Sequence, residues 1–188
     1  MLNIFRWVNE TKEMTQKINK KIREKCKKIK LVVTDVDGVL TDGSRFYDST
    51  GECMKQFNNH DGMGVNLLLR NNIPTIILTK EKSLIVKKWA SDMNISSLFW
   101  GAKQKELELP KINKNFSVKN SEIAFIGDDV NDVDTLLKVG FSACPSNANY
   151  HAKEIVDYIC DSKAGQGCFR EITDLILSEK FPQKKKWY

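Results

Sequence analysis

Three short stretches hold the side chains best suited to chemistry: Asp35-Val36-Asp37-Gly38-Val39-Leu40-Thr41-Asp42-Gly43, Thr79, and Gly127-Asp128-Asp129-Val130-Asn131-Asp132. Each follows an apolar run with strand character. A carboxylate after a strand commonly caps a turn or the next helix, so each stretch alone has an ordinary explanation. Two acidic clusters at the carboxyl edge of one parallel sheet do not. They bring several carboxylates within a few ångströms of one another, which is costly unless a hard cation sits among them. Oxygen donors without His or Cys nearby favour Mg2+. A calcium-binding EF-hand is excluded, because a loop starting at Asp35 places Val39 and Phe46 where ligands are required. Gly62-Met63-Gly64 says nothing of nucleotides, since Leu67 stands where a third glycine belongs.

The elements that must position these residues alternate along the chain. Strand-like runs occur at 31–36, 73–79, 96–100, 122–127, 140–144 and 157–160, and helical spacing begins at Ser83, Lys105 (with a proline interruption), Asp132 and Cys168. Such alternation predicts an α/β domain with a mostly parallel sheet covered on both faces, and ligands at the carboxyl ends of its strands. RFYD and ECMKQF around Ser49-Thr50-Gly51 read as a β-hairpin inserted after the first strand.

Asp-x-Asp-Gly-Val-Leu-Thr-Asp-Gly, a later strand-end Thr, a Lys beyond it and Gly-Asp-Asp together resemble the four motifs of the haloacid dehalogenase superfamily of phosphotransferases. The resemblance runs from about Ile29 to Leu177. The small insert, the segment from Phe57-Asn58 to Asp61-Gly62 and the stretch Gly165-Gln166-Gly167-Cys168-Phe169-Arg170-Glu171 resemble the branch of phosphatases acting on octulosonate 8-phosphate and nonulosonate 9-phosphate. The fold implied is a Rossmann-like core with a minimal cap and an N-terminal helix. The roles implied make Asp35 the nucleophile that forms an aspartyl-phosphate, and Asp37 the acid and then the base. Asp35, the Asp37 backbone carbonyl and Asp128 would be the metal ligands. Thr79 and Lys105 would hold the phosphoryl oxygens; Lys103, the other lysine of that stretch, is then a surface residue. Asp132 would orient the lysine or the metal loop, and Asp129 would support it.

The same resemblance implies that tetramers cover each open site with a neighbour. It gives Asp61, Gly62, Glu81, His60, Gly167 and Arg170 substrate-binding roles, with Arg170 suited to a sugar-acid carboxylate. Octulosonate phosphatases usually carry Thr-Gly-Arg at the second motif and Arg before Asp-Gly, whereas this chain has Thr79-Lys80-Glu81 and His60-Asp61-Gly62. Glu81 resembles the nonulosonate branch, but Trp89 and Asp92 stand where that branch is rich in Arg and Lys. His60 either binds substrate or faces solvent. Other small sugar phosphates, a phosphosugar mutase and a non-catalytic interaction protein are the competing readings. No nucleophile, acid, metal ligand or phosphate-binding residue is replaced, which speaks against the last.

Composition fits a single such domain. The 188 residues carry 30 Lys and Arg against 24 Asp and Glu, a net +6, with 41% hydrophobic residues. Residues 1–30 hold ten of the cations and three Glu (+7) and residues 179–188 four and one (+3), which leaves about −4 for the body. The basicity therefore sits in a helical extension (1–28) and a tail (179–188) flanking the domain at 29–178. A folded body without a basic face argues against nucleic-acid binding. Met14, Ile18, Ile22 and Cys26 form a narrow apolar stripe on the extension, for docking on its own domain or a neighbouring subunit. An interfacial membrane anchor led by Ile4, Phe5 and Trp7 is the alternative. Five cysteines without a C-x-x-C pair indicate neither a disulfide framework nor a zinc site, and their reduced state fits the cytoplasm. Most should be buried; Cys168 is a small packed residue or, alternatively, the one exposed enough to react.

Overall fold

The structure is a computed structural model and describes residues 19–184. Six parallel strands form its centre: β1 (Leu31–Thr34), β4 (Thr75–Thr79), β5 (Ser97–Trp100), β6 (Ile123–Ile126), β7 (Phe141–Cys144) and β8 (Tyr158–Ile159), in the order β5-β4-β1-β6-β7-β8. Between β1 and β4 lie the antiparallel strands β2 (Phe46–Asp48) and β3 (Gly51–Met54) of the hairpin expected there.

Period-two alternation along the strands builds two cores. Val32, Ile77, Ala124, Ile126 and Phe141 face one layer, and Leu31, Val33, Ile76, Leu78, Ile123 and Phe125 face the other. The first is covered by helices α1 (Lys20–Lys28), α2 (Asn59–Arg70), α3 (Leu84–Asp92) and α7 (Cys168–Lys180); the second by α4 (Leu109–Phe116), α5 (Val133–Leu136) and α6 (Tyr150–Ile155). The chain runs from β1 outward through β4 to β5, then returns to β6 on the other side of β1. The direction of winding reverses between β1 and β6, the place where open α/β sheets leave a ligand crevice.

Several boundaries differ from expectation for local reasons. β1 stops at Thr34 rather than at 36 because the Asp35 carboxylate takes the Val36 N–H, at 2.7 Å, and turns the chain. The stretch from Lys105 is a 3-10 turn, Lys105–Glu108, followed by α4, whose Pro110 sits in the first turn, where no N–H is needed. Helices α2 and α6 were not anticipated. α1 packs on its own domain: Ile22 and Cys26 are buried in the first core, and Arg23 pairs with Glu179 of α7 at 2.7 Å. Met14, Ile18 and the Ile4-Phe5-Trp7 anchor lie outside the described residues. Cys168 is fully buried, and Cys53 on the hairpin is the exposed cysteine instead. Among the described residues no helix is long and apolar enough to cross a membrane.

Candidate active site

The strand ends at the reversal bring the acidic clusters together. Asp35 follows β1 and anchors there through its N–H to the Ile126 carbonyl of β6, at 2.9 Å. Gly38, at φ +88°, turns the chain over the second cluster, and a Cβ there would fall 2.0 Å from Asp128 Oδ2. Only glycine permits both the positive φ and the close approach.

Behind Asp35 stands Lys105, its side chain wholly buried. Its ammonium lies 2.6 Å from Asp35 Oδ2 and 2.6 Å from Asp132 Oδ1. Burial lowers the lysine pKa, but the two carboxylates outweigh it and hold Lys105 above its ordinary range. Asp132 spends its other oxygen on the backbone N–H groups of Asp128 and Asp129, at 3.0 and 3.4 Å. It thus orients both the lysine and the acidic loop, the two alternatives left open for it by the sequence. Lys103 is exposed, as the resemblance implied. Asp129 caps its own 3-10 turn through Val130 N, at 2.8 Å.

Asp35, Asp128 and Asp132 can each offer an oxygen to one point, the three oxygens lying within 4.8 Å of one another. Asp132 gives one oxygen to Lys105 and the other to the loop, and Asp35 gives Oδ2 to Lys105 and Oδ1 to the Val36 N–H. Burial, then repulsion from Asp35 and Asp132, pushes the Asp128 carboxyl up to about 8 against the pull of Lys105. Burial likewise raises Asp35. A buried acidic group this crowded, with one lysine to balance it and only oxygen donors, fits a hard divalent cation.

Asp37 and Thr79 line the same cleft, of about 190 Å³, together with Glu81 and Asp128. The volume is below the roughly 300–1,000 Å³ of pockets that enclose a drug-sized ligand, so it holds one group and leaves the rest outside. Arg45 and Lys55 also belong here and were missed. Arg45 Nη2 lies 3.4 Å from Glu81 and 3.9 Å from Asp37, and Lys55 Nζ lies 2.6 Å from Asp37 Oδ1. No local pattern marks either: both flank a hairpin whose residue types suit an exposed turn.

The other expected substrate residues lie elsewhere in the chain. Asp61 is fully buried at the start of α2 and accepts the Arg170 N–H at 2.8 Å, which ties α2 to the N-terminus of α7. Gly62 is packed against Met93, whose Sδ a Cβ there would meet at 2.7 Å. His60, Gly167 and Arg170 line a separate groove of about 520 Å³ beside α7, and the Arg170 Nε is bonded to Asp174 at 2.8 and 2.9 Å. Trp89 stacks on Phe57, ring centres 4.6 Å apart, so it serves packing.

The family description "haloacid dehalogenase-like hydrolase" matches residues 71–172. A 3-deoxy-D-manno-octulosonate 8-phosphate phosphatase, KdsC, of Haemophilus influenzae is 36% identical over 156 residues, 83% of this chain and 87% of that protein. The KdsC of Escherichia coli K12 is 31% identical over 81% of each chain. Among solved structures, a 3-deoxy-D-manno-octulosonate 8-phosphate phosphatase from Moraxella catarrhalis, in complex with magnesium ion, phosphate ion and a KDO molecule, superposes with a TM-score of 0.82. It is 34% identical, covering 85% of this chain and 92% of that one. The chain belongs to the haloacid dehalogenase-like hydrolases. It is a phosphoric monoester hydrolase built on a Rossmann-like core with a small hairpin for a cap.

Proposed function

We propose that this chain is a Mg2+-dependent phosphatase that hydrolyses the phosphomonoester of a 3-deoxy-2-keto sugar acid, octulosonate 8-phosphate first among them, through an aspartyl-phosphate on Asp35. The observation that carries this reading is the pairing of two carboxylates with different partners. Asp35 is held by a buried lysine beside the acidic cluster, and Asp37, two residues on, faces the cleft with one oxygen free. Phosphoryl transfer needs an in-line nucleophile, charge neutralisation and a proton for the leaving oxygen. The names of the relatives and the Mg2+, phosphate and KDO of the Moraxella structure support the substrate and the ion.

In this mechanism Asp35 attacks phosphorus while Asp37 protonates the departing sugar oxygen; Asp37 then takes a proton from the water that cleaves the aspartyl-phosphate. Asp35, Asp128 and the Asp37 carbonyl would hold Mg2+, which when bound neutralises the phosphoryl oxygens. Thr79 contacts the phosphoryl group, as does the third ammonium proton of Lys105, two being spent on Asp35 and Asp132. Glu81, paired with Arg45 at the mouth of the cleft, favours nonulosonate 9-phosphate as the second candidate substrate.

The assembly in this reading is a homotetramer, in which His60, Gly167 and Arg170 of one copy approach the open cleft of another. The exposed apolar side chains Phe46, Tyr47 and Met54 of the hairpin support it, since they await cover. Phosphate release with Mg2+ from octulosonate 8-phosphate, nonulosonate 9-phosphate and neutral hexose phosphates tests the substrate. A clear preference for one sugar acid supports the reading, and equal rates on neutral hexose phosphates, or no release, sink it. Light scattering tests the tetramer.

A further inference from the structure

The hairpin is too small to act as a lid, yet its last strand leads to a side chain that points inward. Lys55, the residue after β3, has its side chain wholly removed from solvent. Lysine is buried in this way only when it is paired. Its ammonium lies 2.6 Å from Asp37 Oδ1 and 2.8 Å from Glu52 Oε1, and Glu52 Oε2 accepts from the Ser83 hydroxyl at 2.9 Å. Ser83 is the N-cap residue of α3, just past Thr79. A chain of four polar side chains thus runs from the start of α3 through the hairpin to Asp37.

Its effect on Asp37 is asymmetric. Oδ1 accepts from Lys55 and also from the Thr41 hydroxyl, at 3.2 Å. Oδ2 is shielded from solvent and has no hydrogen-bond partner among the described residues; Arg45 Nη2 stands 3.9 Å away. A carboxylate torsion is soft and roughly two-fold, so nothing intrinsic to aspartate fixes which oxygen faces the reaction. A buried polar atom left without a partner is costly and calls for a function.

We propose that Lys55 is a positioning residue for proton transfer by Asp37, holding Oδ1 so that Oδ2 alone exchanges protons with the leaving group and with water. The proposal rests on the phosphatase reading above. In the first step Asp35 attacks phosphorus, the bond from phosphorus to the sugar oxygen breaks with its electron pair on that oxygen, and Oδ2 gives that oxygen its proton. In the second, water attacks phosphorus and yields a proton to Oδ2. The bond from Asp35 to phosphorus then breaks, which restores the carboxylate and frees inorganic phosphate. Asp37 ends as it began.

Two substrates with different leaving groups separate this role from a merely structural one. The constant kcat/KM reports steps up to the first irreversible one, departure of the leaving group, which needs a proton for a sugar alkoxide and none for p-nitrophenolate. Lys55→Met is expected to lower kcat/KM for octulosonate 8-phosphate about 30-fold or more and for p-nitrophenyl phosphate less than about 3-fold, with Lys55→Arg restoring most of the loss. Should Lys55→Met fail to fold, Glu52→Gln reads the same ratio, with the loss again larger on the sugar phosphate. Equal losses on both substrates, or none, overturn the proposal while the wild-type chain still turns both over. A wild-type chain that hydrolyses neither overturns the phosphatase reading, and the proposal with it.

Discussion

The cleft at the ends of β1 and β6 and the groove beside α7 both carry acids and cations, and they hold them by different means. In the cleft two lysines are buried and cross-paired between elements distant in sequence: Lys105 joins β1 to the loop after β6, and Lys55 joins the hairpin to Asp37, while the Arg45–Glu81 pair at the mouth stays exposed. In the groove, Arg170 pairs with Asp174 one turn along its own helix, at side-chain exposures of 30% and 48%. Exposed pairs of that kind contribute at most about 1 kcal/mol, whereas breaking a buried pair costs about 3–5 kcal/mol because one charge is left uncompensated. The buried lysine pairs of the cleft are thus built into the fold, and the Arg170–Asp174 pair sits on a surface that costs the fold little to change.

Substitutions can break or sharpen that contrast. Asp35→Asn should leave the fold intact by circular dichroism and lower kcat by about 10⁴-fold or more. Lys105→Met should cost about 10²- to 10³-fold in kcat and also lower the melting temperature, since it strands Asp35 and Asp132 together. Gly38→Ala should weaken Mg2+ binding at least about 10-fold by calorimetry, because the added methyl displaces Asp128.

Asp61, buried where α2 meets the start of α7, supplies a test of pH. Burial, opposed by the backbone N–H groups at the start of α7, raises its carboxyl to about 6 from an ordinary value of 3.8. The folded chain therefore binds more protons than the unfolded one between these values. The contribution of Asp61 is fully present below about 4 and is lost as pH rises through about 6, an effect of about 2–3 kcal/mol at most. Asp61→Asn should flatten that part of the pH dependence in urea unfolding, and an unchanged profile would contradict it. Smallest of all, Arg170→Ala should alter stability by no more than about 0.5 kcal/mol. If Arg170 serves a neighbouring copy, mixing Arg170→Ala chains with Asp35→Asn chains should restore activity in hybrids, and mixing without recovery would place it outside catalysis.

The strands were legible because buried parallel strands are short continuous apolar runs, and the acidic clusters because they follow such runs directly. Helix α2 was hidden by Gly62 and Gly64, poor helix formers that are present because neighbours crowd them: a Cβ would meet Met93 Sδ at 2.7 Å and Thr173 Oγ1 at 3.0 Å. Helix α6, six residues long, is too short for its period to show. Lys55 was illegible because a lysine after a hairpin strand is exposed by default, and its partner Asp37 lies 18 residues away in sequence. Local pattern brought out the acidic clusters at the strand ends; which residues hold Asp37 in place depends on a crossing of the hairpin that no local pattern encodes.

The most direct test is to quench the wild-type chain during turnover of a sugar-acid phosphate with Mg2+ and map covalent phosphate by peptide mass spectrometry. A phosphoryl group on the peptide bearing Asp35, absent from the Asp35→Asn chain, is the predicted result. Turnover with the phosphoryl group on another residue, or undiminished in the Asp35→Asn chain, would contradict it.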